Sequence, residues 1–155
     1  MNRLWTGSED NPFADRTVLI AGQPPWVEPL VHTVHEEGGH PITVDKVEEG
    51  FSILQFEQPE FFILSDGFGH DSSQPNPLLA YIQDMPTSQR REIFVVWVGS
   101  NIKSGDMLSA FSYSVNLVLQ PEQIPELTKM IKKSWFQWKD LYQVFLHSRL
   151  QLTGL

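Results

Sequence analysis

Short apolar runs without internal polar alternation recur along this chain, and between them the apolar positions fall into a helical rhythm. "TVLIAG" (17 to 22) is a β-branched run stopped by Gly22 and the Pro24-Pro25 pair, which predicts a buried strand and a turn. The period then changes. Trp26, Val27, Leu30, Val31 and Val34 repeat at helical spacing, Pro29 is tolerable in a first turn, and Gly38-Gly39 ends the helix. "PITVD" (41 to 45) is the second strand, and Val47, Phe51 and Leu54 mark a helix that stops before Pro59. "EFFILS" (60 to 65) is the third strand. After a loop rich in Gly, Ser and Pro (67 to 77), Leu78, Leu79, Tyr81, Ile82 and Met85 predict a helix that Pro86 ends or kinks. "EIFVVWV" (92 to 98) is the fourth strand, Met107, Leu108 and Phe111 give a shorter helix, and "NLVLQ" (116 to 120) is the fifth strand. Pro121 opens a long helical tract.

Five apolar strands, each followed by a helix, imply a parallel sheet covered on both faces. The expected architecture is α/β: a flavodoxin-like three-layer sandwich with a five-stranded parallel sheet of order 2-1-3-4-5 and an extended C-terminal helix. Residues 1–15 are expected as an N-terminal tail, 16–134 as the domain and 135–155 as an extension of the last helix.

Composition narrows the chemistry. A chain of 155 residues with 41% hydrophobic and 19% charged content suits one globular core. It has no cysteine, which removes disulfides, thiolate metal sites and cysteine nucleophiles together. A cytoplasmic location is expected, with neither a signal peptide nor a membrane span. The net charge of −8 argues against nucleic acid and anionic lipid as partners. That charge is uneven: residues 1–120 carry 6 basic and 16 acidic side chains, residues 121–155 carry 5 and 3.

"VLIAG" leads into a helix ending at "EEGG"; "QPEFFILS", "FVVWVGS" and "NLVLQP" follow in turn. In order and spacing these segments resemble the receiver domain of two-component response regulators (CheY-like), over residues 16 to 134. The resemblance implies an aspartate phosphorylated at the end of strand 3, with Mg²⁺ held partly by two acids at the end of strand 1. It places those acids at Ala21 and Gly22, which offer no side-chain oxygen. Counted from Pro59, the phosphoacceptor position falls on Ser65, with Asp66 one residue later and directed to the other side of a regular strand. The strand 4 hydroxyl falls on Val98, or on Gly99 or Ser100 one or two residues on; the strand 5 aromatic falls on Leu117, and the lysine before the proline on Gln120. Phosphoryl transfer rests on electrostatic stabilisation that these residues cannot supply. The expectation is a degenerate, non-phosphorylatable pseudo-receiver that signals through protein contact and is not an enzyme. Two alternatives stand beside it: a small-ligand-binding flavodoxin-like regulatory domain, and an active phosphoacceptor receiver using Asp66.

Other patterns are weaker. His32, His35 and Glu36 share a helical face, with His40 beyond, but the spacing is not HExxH, and no metal site or cofactor is expected. "GFGHDS" lacks the third glycine of a phosphate loop, and no GxSxG elbow surrounds any serine. A small molecule, if one binds, would settle at the strand ends between Gly22-Gln23, Ser65-Asp66 and Gly99-Ser100. Trp97 is expected in the core, and Trp26 either covers the sheet near the first turn or lines a cleft.

The C-terminal tract carries Ile131, Trp135, Trp138, Tyr142 and Phe145 at steps of four, three, four and three, joined by Leu141. A helix from Pro125 to Leu150 would be about 39 Å long, whereas a six-residue strand covers about 20 Å. The far half would overhang the sheet, and leaving its large side chains in water would forgo roughly 1.5–3 kcal/mol each. A protein partner, a second copy of the chain, or the chain's own N-terminal segment with Trp5 and Phe13 should cover it.

Overall fold

The computed structural model describes residues 11–69, 76–100, 103–135 and 137. In chain order the elements are β1 (Thr17–Ala21), α1 (Val27–Glu36), β2 (His40–Thr43), α2 (Val47–Phe56), β3 (Phe61–Ser65), α3 (Pro77–Asp84), α4 (Thr87–Arg90), β4 (Phe94–Val98), α5 (Met107–Tyr113) and β5 (Leu117–Leu119). A 3-10 segment (Pro121–Glu126) follows, and α6 runs over 127–135. The strands form one parallel sheet of order β2-β1-β3-β4-β5, as the apolar runs predict.

Both faces of the sheet are covered. Alternate strand residues supply opposite cores, as the two-residue strand repeat requires. Val18, Ile20, Phe61, Ile63, Phe94, Val96 and Val98 pack with Leu30 and Val34 of α1 and with Leu127, Ile131 and Trp135 of α6. Leu19, Ala21, Phe62, Leu64, Val95 and Trp97 pack with Leu54 of α2, Leu78 and Ile82 of α3 and Ala110 of α5. The expected core position of Trp97 is therefore observed, with Tyr113 stacked against it at 5.7 Å between ring centroids.

Several boundaries differ from the sequence expectation for identifiable reasons. β2 begins and ends earlier than "PITVD", because the His40 N–H already donates to the Arg16 carbonyl (2.8 Å). The Val44 N–H donates to Ile20 (3.3 Å), so the even-numbered residues face β1 and Pro41 places its missing N–H on the outer side, where no ladder bond is needed. Pro86 ends α3 and then starts α4, a turn the apolar spacing does not reveal: its carbonyl accepts from Gln89 (3.0 Å) and Arg90 (2.8 Å). After β5 the chain does not enter an α-helix directly. Pro121 and Pro125 remove two N–H donors, and the segment takes 3-10 geometry until Leu127.

The lead-in is not a separate tail up to residue 15. Phe13 is fully buried, with its ring edge-on to Phe61 at 5.0 Å, and Arg16 donates from Nη1 to the Pro12 carbonyl (2.6 Å). The Arg16 guanidinium lies 4.8 Å from the centroid of the Trp135 ring, which stacks on Phe61 (5.8 Å) and Phe94 (6.3 Å). Phe13, expected as one cover for the far half of the last helix, shares a core with Leu127, Ile131 and Trp135, while that far half lies outside the described residues.

Where β4 and β5 begin, a polar knot around the buried Asn116 ties the two strands together. Asn116 Oδ1 accepts from the Val95 N–H (2.8 Å) and from Arg90 Nη2 (2.9 Å). Arg90 also donates to the carbonyls of Ile93 (2.8 Å) and Ser114 (2.8 and 3.1 Å). Burial lowers the Arg90 pKa to about 10, which leaves the side chain charged at neutral pH. Among the described residues no helix is long and apolar enough to cross a membrane.

Ile131 and Trp135, the first two residues of the expected association seam, are 0% and 3% exposed inside the domain. They are intrachain core, because α6 lies against the sheet as far as Trp135. Trp138, Leu141, Tyr142 and Phe145 lie outside the described residues. Trp135→Ala should cost about 3–5 kcal/mol in urea unfolding, with a midpoint that does not depend on protein concentration; a concentration-dependent midpoint restricted to the wild type would return Trp135 to an interface.

Candidate functional site

In an open parallel sheet the strand residues are committed to two cores, so free chemistry is confined to the carboxyl ends of the strands. Here that mouth is built from the residues after β1, β3, β4 and β5. Ala21, expected to reach it, is the last residue of β1 and fully buried against the α2 and α3 side. The mouth begins one residue later, at Gly22 and Gln23.

β3 ends on Ser65, which is buried and pairs with Val98 of β4. By strand alternation Ser65 falls on the side of Phe61 and Ile63, and Asp66 on the other. No bulge intervenes: the Asp66 N–H continues the ladder to the Val98 carbonyl (2.9 Å). The chain then turns, with the Phe68 N–H donating to the Ser65 carbonyl (3.2 Å) and the Phe68 ring buried among the α2 and α3 side chains. Asp66 is half-exposed. Its Oδ2 leans over Gly99, 3.3 Å from where a Cβ would stand, and the Trp97 indole nitrogen lies equally close to that point. Among the described residues no lysine, arginine or histidine is ion-paired with the Asp66 carboxylate.

Asn76 holds this turn in place. It is buried, and its Nδ2 faces the carbonyls of Ser65 (3.2 Å), Asp66 (3.4 Å) and Phe68 (3.5 Å). Its Oδ1 accepts from the N–H groups of Leu78 (3.0 Å) and Leu79 (3.3 Å), capping α3. The sequence reading passed over Asn76, although Asn followed by Pro at the first helical position is a recognisable capping signal.

The β1 side of the mouth is closed. Gln23 Nε2 donates to the Gly67 carbonyl (3.0 Å), tying the end of β1 to the turn after β3. The indole of Trp26 lies on Gly22, and a Cβ added at position 22 would collide with its Cη2, Cζ2 and Cζ3 atoms. On the far side, Val98, Leu117 and Leu119 are buried apolar residues. Gln120 is half-exposed, and its N–H donates to Ser104 Oγ (2.8 Å). Of the positions expected for a degenerate receiver site, Gly22, Ser65, Asp66, Val98 and Gln120 lie at the strand ends, whereas Ala21 and Leu117, which pairs with Val96, are buried within their strands; Ser65 and Asp66 bring a hydroxyl and a carboxylate, Gln120 an amide, and Ser100 is exposed two residues beyond β4.

The histidine group does not assemble. His32 Nε2 meets Glu36 Oε1 at 3.0 Å on the open face of α1, and among the described residues no three His, Asp or Glu side chains form a metal-binding set. His32 and His35 instead rim a groove of about 780 Å³ between α1 and the end of β2, with Pro24, Pro25, Val27, Val31 and Val44 as its apolar lining.

No protein family described from sequence matches the chain, and no curated protein is similar to it. Solved structures do match. A signal receiver domain from Vibrio parahaemolyticus has a TM-score of 0.60 at 13% identity, covering 84% of this chain and 97% of its own. The phosphorylated cyanobacterial phytochrome response regulator RcpA gives 0.56 at 17% identity, covering 79% and 95%. The Mn(2+)-bound form of the response regulator Rcp1 gives 0.55 at 18%, covering 77% and 94%. The structural neighbours are response-regulator receiver domains, and the fold is theirs.

The residues present do not fit the divalent ion of such sites. Magnesium needs near-octahedral oxygen ligands at about 2.0–2.1 Å, and on the β1 side the available surface is a bare Cα under an indole ring. Asn76→Ala should lower stability by about 2 kcal/mol and speed amide exchange at Asp66, Gly67 and Phe68. Asn76→Asp should retain the cap to Leu78 and Leu79 while losing the protection of the turn; unchanged exchange in both variants would show that Asn76 does not fix the Asp66 turn.

Proposed function

We propose that this chain is a receiver-fold signalling domain that takes up no phosphoryl group and acts through protein contact. The observation that supports the reading is the make-up of the β1 end beside Asp66: Gly22 is packed under Trp26, and Gln23, next to Asp66 in the β1–β3 register, brings an amide where a cation would need a carboxylate. A phosphoryl group arriving at Asp66 would meet neither a lysine at position 120 nor a hydroxyl at position 98 to offset its charge.

The proposed contact surface is the C-terminal segment beyond Trp135, where Trp138, Leu141, Tyr142 and Phe145 supply aromatic and aliphatic anchors of the kind that dominate binding energy. A partner protein or a second copy of the chain would cover them. A second reading, a domain that senses a small ligand, is favoured by the groove beside α1, whose apolar lining and polar rim of Glu28, His32, His35 and Asp45 have the make-up of a small-molecule site.

Incubation with acetyl phosphate and Mg²⁺ should leave the intact mass unchanged; an adduct that disappears in Asp66→Asn would overturn the proposal. Sedimentation should show a self-association or partner complex that the Trp138→Ala, Phe145→Ala double variant weakens, whereas identical profiles would remove the segment as the contact surface. A concentration-dependent rise in melting temperature with a nucleotide or other small molecule, lost on Val31→Asp, would favour the sensing reading.

A further inference from the structure

The groove beside α1 is lined by residues whose chemistry selects one charge of ligand. Two adjacent rows of the helix border it: Val27, Val31 and His35 step by four residues, and so do Glu28 and His32. Val27 and Val31 are half-buried and packed on the core beneath α1, which makes the first row an apolar floor. The second row is exposed and continues to Glu36, whose Oε1 lies 3.0 Å from His32 Nε2. Across from the helix, β2 is the outer strand of the sheet and stops at Thr43, where the buried Val44 and the exposed Asp45 complete the wall. Pro24 and Pro25 add apolar surface on a stiff backbone. The space, about 780 Å³, is that of a small-molecule cleft.

Charge decides what can enter. Glu28 brings a carboxylate to the rim from the helix and Asp45 another from the strand end, and among the described residues neither lysine nor arginine lines the groove. A carboxylate or phosphate ligand would meet like charge and none of the cationic donors that bind such groups. A protonated amine would meet two carboxylates of opposite sign.

We propose that this groove binds a small organic cation, a compact apolar body that carries one protonated amine. The body displaces water from Val27, Val31 and Val44, and the amine is held at the acidic rim of Glu28 and Asp45. This inference rests on the sensing reading of the same groove and adds the chemical class of the ligand. It makes no use of Ser65, Asp66 or Gln120.

Three probes with one ring and one linker test it on the full chain at fixed pH: phenethylamine, phenylpropionate and phenethyl alcohol. Binding is followed by the ring signals of the histidines in NMR, with His32 and His35 assigned through His32→Gln and His35→Gln. Phenethylamine should shift both signals saturably at about millimolar concentration, and leave His40, which starts β2 outside the groove, in place. Phenylpropionate should bind about tenfold more weakly or worse. Glu28→Gln with Asp45→Asn should weaken the amine about fivefold and leave the alcohol unchanged, while Val31→Asn should weaken both. Equal affinity for amine and carboxylate, or an amine affinity untouched by the double neutralisation, would overturn the cation. Binding of the alcohol or the carboxylate that Val31→Asn weakens would then leave the sensing reading standing. No saturable shift with any of the three would overturn the inference and remove the groove as a ligand site.

Discussion

Burial of both sheet faces is the constraint on which the rest of this molecule depends. β3 and β4 are buried along their whole length, and Val18 to Ala21 are buried in β1. Polar side chains there would lose hydration, and Ser65 at the last position of β3 is the one hydroxyl among those residues. What remains open to chemistry is the narrow rim where the strands stop. In this chain even that rim is largely taken up by structure: Asn76 ties down the turn after β3, Gln23 reaches across to it, and Trp26 lies over the end of β1. The strand ends are here a joint between elements.

Strand order, helix order and the two-faced core were legible in the sequence because each depends on runs of apolar residues that few other arrangements would bury. Trp97 in the core and the α2 and α3 positions could be read for the same reason. The details of the mouth could not. That Ala21 belongs to the strand while Gly22 begins the rim is a matter of one residue, and apolar runs do not fix their own ends to that resolution. Trp26 was ambiguous between covering the sheet and lining a cleft, since helical periodicity says which face a residue is on and nothing about where a large ring comes to rest. Asn76 was missed because a loop rich in Gly, Ser and Pro offers many polar residues and no period to single one out.

The C-terminal helix shows the same limit from another direction. A seam spaced by threes and fours reads as a single continuous stripe, but Ile131 and Trp135 belong to the domain's own core. Aromatic periodicity alone cannot tell where a helix leaves its sheet, because the same residues suit an internal core and a partner's surface. For Trp135 the answer comes from the other side of the contact: Arg16, Phe61 and Phe94 pack against its ring, and Phe13 in turn packs on Phe61.

The two rims of the sheet carry a further consequence. At β2 one of the two outward backbone positions, Pro41, has no N–H, and beside β5 the Gly105 N–H donates to the Val118 carbonyl (2.9 Å) while Ser104 accepts from Gln120. Strand-by-strand templating between copies, the route by which open sheets seed fibrils or fuse into continuous sheets, is blunted at both margins. At its sheet margins, pairing with another molecule would therefore draw on side chains more than on backbone hydrogen bonding, and surface substitutions there could change it while the sheet itself stays fixed.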